Sequence, residues 1–176
     1  MSLYLVEAEF NGVNNSKELF ENKVSELKGN LEPKNIHLIE VQVSKDFSRT
    51  FFIFEAEQSH VLEENLKNQG VSTQLVKEVR LVGKELDEVK KQADNVNYLV
   101  EWNLPEDLTM DAYLDRKKKN SVHYAEVPEV SFSRTYVCED MSKCLCFYDA
   151  PDESAVKRAR EAVKTPIDSI TEINND

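Results

Sequence analysis

Apolar and polar residues alternate from Leu3 to Phe10, which places Tyr4, Val6 and Phe10 on one side of a strand and Glu7 and Glu9 on the other. Asn15 or Ser16 then caps a helix whose apolar stripe is Leu19, Phe20, the stem of Lys23, Val24 and Leu27, with Gly29 as its stop. Two β-branched and aromatic runs follow, Ile36 to Ser44 and Thr50 to Ala56, joined by the polar turn Lys45-Asp46-Phe47-Ser48-Arg49, which suits a hairpin. A second helix, capped near Ser59, turns Val61, Leu62, Asn65 and Leu66 inward, and Leu75 to Val82 forms a closing strand. The order βαββαβ predicts a ferredoxin-like unit, a four-stranded antiparallel sheet with helices on one face.

The pattern then recurs. Tyr4-Leu5-Val6-Glu7 returns as Tyr98-Leu99-Val100-Glu101, an offset of 94, and the same offset pairs Val43 with Val137, Asp46 with Asp140, Ser48 with Ser142 and Ala56 with Ala150. In the second copy Asn97 to Leu104 is a strand and Thr109 caps a helix with Met110, Tyr113 and Leu114. Val130 to Cys138 and Lys143 to Asp149 form the hairpin, Asp152 caps a helix bearing Ala155, Val156, Ala159 and Val163, and Ile167 to Ile173 closes the unit after Pro166. The chain divides into a first repeat at 1–82, a linker helix at 83–96 with Leu86, Val89 and Ala93 at helical spacing, and a second repeat at 97–176.

A ferredoxin-like sheet leaves one face without helices, yet here both faces are partly apolar: Phe52 and Phe54 point one way, Phe51 and Ile53 the other. Two α+β repeats packed sheet to sheet as an intramolecular pseudo-dimer, like a dimeric α+β barrel, would bury the second face, and so would a homodimer. Of the 176 residues, 40% are hydrophobic and 31% charged, which excludes a disordered polyelectrolyte. The apolar runs are of strand length, so no membrane span is expected. A net charge of −11 without a basic face argues against nucleic acid and anionic membranes as partners. The start of the chain lacks a signal-peptide pattern, and the cytoplasm is the expected compartment.

Candidate chemistry concentrates in two places. Cys138, Cys144 and Cys146 fall in one hairpin, where the first repeat has Ser44, Thr50 and Phe52. Cys144 and Cys146 share a face and form the candidate metal pair, and Cys138 lies opposite Cys144 if the five residues between them form the turn. They are either a thiolate metal or redox site or small buried hydrophobes. The second place is the face turned away from the helices. Glu7 and Glu101 point there, together with Leu38, Glu40 and Gln42 of the first repeat and Phe132, Arg134 and Tyr136 of the second. Glu7, Glu40, Glu101, Phe132, Arg134 and Tyr136 are therefore the candidate ligand-binding residues, with Arg134 facing an anionic group and a glutamate binding a cation or acting as a base. The structural alternative is an ion-pair network that only fixes docking. His37, His60 and His123 show no metal-ligand spacing.

The second repeat resembles a small bacterial family of ferredoxin-like proteins, largely of unassigned function, that includes an actinobacterial nickel-binding protein. The resemblance rests on Tyr98-Leu99-Val100-Glu101, Leu108-Thr109-Met110-Asp111, Tyr136-Val137, Cys146-Phe147-Tyr148-Asp149-Ala150-Pro151 and the ending Pro166 to Ile173. It implies single domains that dimerise and a divalent metal, nickel, as cofactor. In the second strand the family pattern has an aromatic and then a histidine. Here Phe132 is the aromatic and Arg134 stands at the histidine position, where a guanidinium has no lone pair for a metal. Cys146 is what remains of the pattern.

These readings predict a non-enzymatic binding protein for a metal ion or small ligand. The alternatives are a small cofactor-independent enzyme of isomerase or monooxygenase type with a cavity between the sheets, and a protein-interaction module.

Overall fold

The computed structural model describes residues 1–9, 16–91 and 95–173. Phe10, Asn15 and Ala93, assigned above to a strand, a cap and the linker stripe, lie outside the described residues. The chain forms two compact units that divide between Val79 and Arg80.

In the first unit the elements are β1 (Ser2–Glu9), α1 (Lys17–Leu31), β2 (His37–Val43), β3 (Thr50–Ala56), α2 (Ser59–Asn68) and β4 (Ser72–Val82, its last residues belonging to the second unit). The strands are ordered β2-β3-β1-β4, and each pairing is antiparallel. Tyr4, Val6, Ala8, Phe52 and Phe54 face the helices and join Leu27, Leu31, Leu62 and Leu66 in one core. Ser16 caps α1 by accepting a hydrogen bond from Leu19 N. Gly29 does not stop that helix, because the chain stays helical through Leu31 and a further 3-10 turn, so the buried stripe is Phe20, Leu27 and Leu31 and Leu19 is exposed. In α2 only Leu62 and Leu66 are buried. Val61 is exposed, Asn65 bonds back to Val61 O, and the N-cap is Gln58, without a side-chain cap.

The second unit holds α3 (Leu86–Lys91), β5 (Tyr98–Asn103), α4 (Met110–Asn120), β6 (Ser131–Cys138), β7 (Lys143–Asp149), α5 (Glu153–Ala162) and β8 (Ser169–Glu172). The order β6-β7-β5-β8 repeats that of the first unit. So does the register. Tyr4↔Phe54 and Val6↔Phe52 in the first unit become Tyr98↔Tyr148 and Val100↔Cys146 in the second, each shifted by the 94 residues of the sequence offset. Thr109 and Asp152 cap α4 and α5 by accepting from Ala112 N and Ala155 N. The hairpin turns match too: Asp46 gathers Ser44 and Ser48, Asp140 gathers Ser142, and Phe47 and Met141 both take φ 61°. That tight left-handed residue is the same device in both hairpins.

The second strand of each unit carries a β-bulge, between Leu38 and Glu40 and between Phe132 and Arg134. One extra residue reverses the alternation. Leu38 and Phe132 consequently pack on the helix side with the cores, whereas Glu40 and Arg134 lie opposite Ile53 and Phe147 on the other face. The expectation that Phe132 shares a face with Arg134 and Tyr136, and Leu38 with Glu40, fails for this reason. Cys138 is likewise not opposite Cys144, which pairs with Val137.

Candidate functional site

The glutamates on the face away from the helices are held in ion pairs inside their own units. Glu7 Oε1 accepts from Arg49 at 2.8 Å, and Glu101 Oε1 accepts from Lys143 at 2.9 Å. Arg49 and Lys143 are themselves related by the 94-residue offset, so the pair is conserved in geometry between units while its cation changes. Glu40 accepts from Gln42 at 3.3 Å. Arg134 bonds Ser133 Oγ at 2.7 Å and lies over the Phe147 ring at 4.9 Å, and Tyr136 meets the same ring edge-on. Within the second unit Arg134 and Tyr136 are thus gathered around Phe147. Phe132 is on the opposite side, stacked on Tyr124 with ring centroids 5.4 Å apart.

A different cluster forms on the helix side of the second unit. Cys144 and Cys146 are free thiols, both buried, and they hydrogen-bond to each other. The two-residue period of β7 points both at α4 and α5. Tyr113 of α4 hydrogen-bonds Cys144, and Thr135 Oγ1 donates to Cys146 Sγ at 3.2 Å. Above them lies Arg160 of α5, 1% exposed. Its Nη1 donates to Tyr148 Oη at 3.1 Å and its Nη2 to Pro166 O at 2.5 Å. Tyr148 Oη is in turn 2.6 Å from Tyr124 Oη. Arg160 Nε is buried without a partner.

These contacts set the charge of the thiols. The hydrogen bond from Cys144, opposed by burial and assisted by Lys117, Arg160 and Thr135, holds the Cys146 thiol well below its ordinary range. Sharing that bond, and then burial, pushes Cys144 up. The pair therefore ionises at Cys146, with Cys144 as the donor. Burial pushes the Tyr148, Tyr124 and Tyr113 phenols upward, so they remain neutral donors.

A small pocket opens here, lined by Trp102, Tyr113, Arg116, Lys117, Cys146, Arg160 and Thr165. Arg116 lies over the Trp102 ring and donates to Lys164 O, and Lys117 Nζ sits 4.3 Å above the Phe132 ring. The first unit has a pocket of its own, lined by Lys23, Glu26, Leu27, Gln69, Gly70 and Val71, but without this chemistry, because the offset places Phe52, Phe54 and Leu66 where the second has Cys146, Tyr148 and Arg160. Those three are fully buried core residues of the first unit.

Sequence reasoning found the cysteines and missed Arg160, Trp102 and Lys117. A signal existed: Arg160 falls four residues after Val156 and next to Ala159, inside the apolar stripe of α5. An arginine in such a stripe is a buried cation in search of a partner.

The pocket is a poor metal site. Among the described residues no three His, Cys, Asp or Glu side chains are grouped to hold a metal ion. His37 and His123 are engaged with Glu32 and Glu126 instead. The cysteine pair offers two soft donors beside a guanidinium, which repels a divalent cation, so the residues here do not fit nickel.

Fold and site together define a ferredoxin-like α+β protein with a polar, thiol-containing pocket built into one of its two units. Residues 98–173 match the family model described as "Nickel responsive protein SCO4226-like", the family that the motifs of the second repeat resemble. No protein of curated function matches the chain. Among solved structures, "Putative Chlorite dismutase TA0507" is 12% identical, with a TM-score of 0.56 over 99% of this chain and 96% of that one. That likeness shows the fold, two ferredoxin-like units in tandem, and no more. A second structure, "Putative monooxygenase (FN1347)" from Fusobacterium nucleatum subsp. nucleatum ATCC 25586, is 9% identical with a TM-score of 0.42 over 98% of this chain and 90% of that one. Among the described residues no helix is long and apolar enough to cross a membrane.

Proposed function

We propose that this protein binds a small ligand without transforming it, and that the ligand site is the helix-side pocket of the second unit. One observation carries the reading. Where the first unit completes its core with Phe52, Phe54 and Leu66, the second places Cys146, Tyr148 and Arg160, and Cys146 and Arg160 line a pocket. Burying an arginine and a polarised thiol costs stability that apolar residues would supply, and such a cost is retained where a ligand is bound. The test is to fill the pocket as the first unit does. Cys146→Phe is expected to abolish any ligand-induced rise in melting temperature while far-ultraviolet circular dichroism stays unchanged. A ligand response that survives the substitution would place the site elsewhere, with Arg134 and Tyr136 the next residues to vary.

A second reading follows from the family description. Nickel-responsive relatives raise the case for a metal, and here the donors would be Cys144 and Cys146. Two thiols suit a soft, low-coordinate ion such as Cu⁺ better than Ni²⁺. Titrating Ni²⁺, Zn²⁺ and Cu⁺ into the purified protein decides it. Stoichiometric binding lost in both Cys144→Ser and Cys146→Ser would establish the metal reading.

A further inference from the structure

We propose that the pocket of the second unit is an anion site, and that its ligand carries a small oxyanion group, a carboxylate or an inorganic oxyanion, seated among Arg160, Arg116 and Lys117. This rests on the pocket being the ligand site and names the chemistry it takes.

The argument starts from charge. Three cations line the pocket and no carboxylate does. Arg116 donates to a backbone carbonyl and lies over the Trp102 face, Lys117 lies over the Phe132 face, and Arg160 donates to Tyr148 and a backbone carbonyl; among the described residues none of the three is in an ion pair. A thiolate at Cys146 offsets at most one of these charges, which leaves the pocket positive in a chain whose net charge is −11. A buried charge is ordinarily paired. Arg160 is 1% exposed, and its Nε is a buried donor without an acceptor. A guanidinium that lines a pocket matches the oxygens of a carboxylate, sulfate or phosphate, to which charge-assisted hydrogen bonds are strongest. Trp102 and Tyr113 form aromatic walls against which a short apolar body of the ligand can rest. The pocket is small, so the bound group has few atoms.

Trp102 is the only tryptophan in the chain and lines this pocket, so its fluorescence reports occupancy directly. Acetate, sulfate and phosphate are titrated into the full-length protein at constant ionic strength, with chloride as the spherical control. At least one oxyanion is expected to give a saturable change, chloride none. Lys117→Gln and Arg116→Gln are each expected to weaken it roughly tenfold, the scale of one charged hydrogen bond. Which oxyanion saturates at lowest concentration separates a carboxylate ligand from an inorganic one. A response linear in concentration, equal for chloride, or indifferent to both charge-removing substitutions would overturn the proposal. Because Arg116 is exposed and Lys117 only half-buried, their variants remain informative even if a change at Arg160 prevents folding. Thiol-dependent metal binding without an oxyanion response would sink the anion and leave the pocket a ligand site. The absence of both would remove the ligand reading itself.

Discussion

Arg160 stands where the first unit has Leu66, and the exchange sets stability against binding at one position. Replacing a buried, incompletely paired charge by a hydrophobe is often neutral or stabilising, by about 1–4 kcal/mol. Arg160→Leu is therefore expected to leave urea stability unchanged or raised while the oxyanion response disappears. A loss of more than about 3 kcal/mol would instead mark Arg160 as a structural post that holds Tyr148 and Pro166. Asp46 makes a second residue-scale prediction. The hydroxyl and backbone N–H of Ser48 and the hydroxyl of Ser44 hold its carboxyl down at about 2. Because the folded value lies below the ordinary carboxylate range, its contribution to stability is complete above that range and is lost as pH falls toward 2. Carboxyl carbon shifts followed by NMR should place the Asp46 midpoint there. A midpoint in the ordinary range would mean the turn is open in solution. Of the residues that matter, the cysteine pair was legible because period two puts positions 144 and 146 on one face. Arg160 was not, because its importance lies in who its neighbours are.

Elements were legible where periodicity and caps agree. The alternation of β1 and β5, the caps Ser16, Thr109 and Asp152, and the stripe of α5 are all as their side-chain chemistry requires. Asp152→Ala removes a 2.7 Å cap bond at the start of the helix that carries Arg160. It should cost about 1 kcal/mol in chemical denaturation. Gly29 misled because a glycine stops a helix only where the chain needs a left-handed turn, and α1 gains more by reaching Leu31, which is buried in the core. The bulges misled more deeply. In β2 and β6 one unpaired residue, Ile39 or Ser133, reverses which side chains face the helices. Deleting Ser133 would make Phe132↔Tyr148 and Arg134↔Phe147 consecutive regular pairs, so both side chains should keep their faces and Trp102-detected unfolding should stay cooperative. A collapse of that cooperativity would show that the bulge residue itself holds the strand in place.

At the scale of the molecule, one offset of 94 residues orders everything: strand order, register, bulge, hairpin turn and the buried ion pairs recur in both units. The thiol and arginine lining of the pocket does not recur, since the first unit's own small pocket is lined by Lys23, Glu26, Leu27, Gln69, Gly70 and Val71. One oxyanion per chain, rather than two, is therefore the expected stoichiometry by calorimetry, and a value of two would mean that the first unit binds as well. The two units share strand order and register and differ in what fills their interiors. The order of elements, the hairpins, the repeat and its register all follow from local pattern, because side-chain period and turn chemistry act over a few neighbouring residues. Only the tertiary structure decided which face Leu38 and Phe132 take, since a bulge is a pairing event between strands. It also decided the pocket, because Trp102, Lys117, Cys146 and Arg160 come from four separate elements and acquire a common function only when packing brings their charges together.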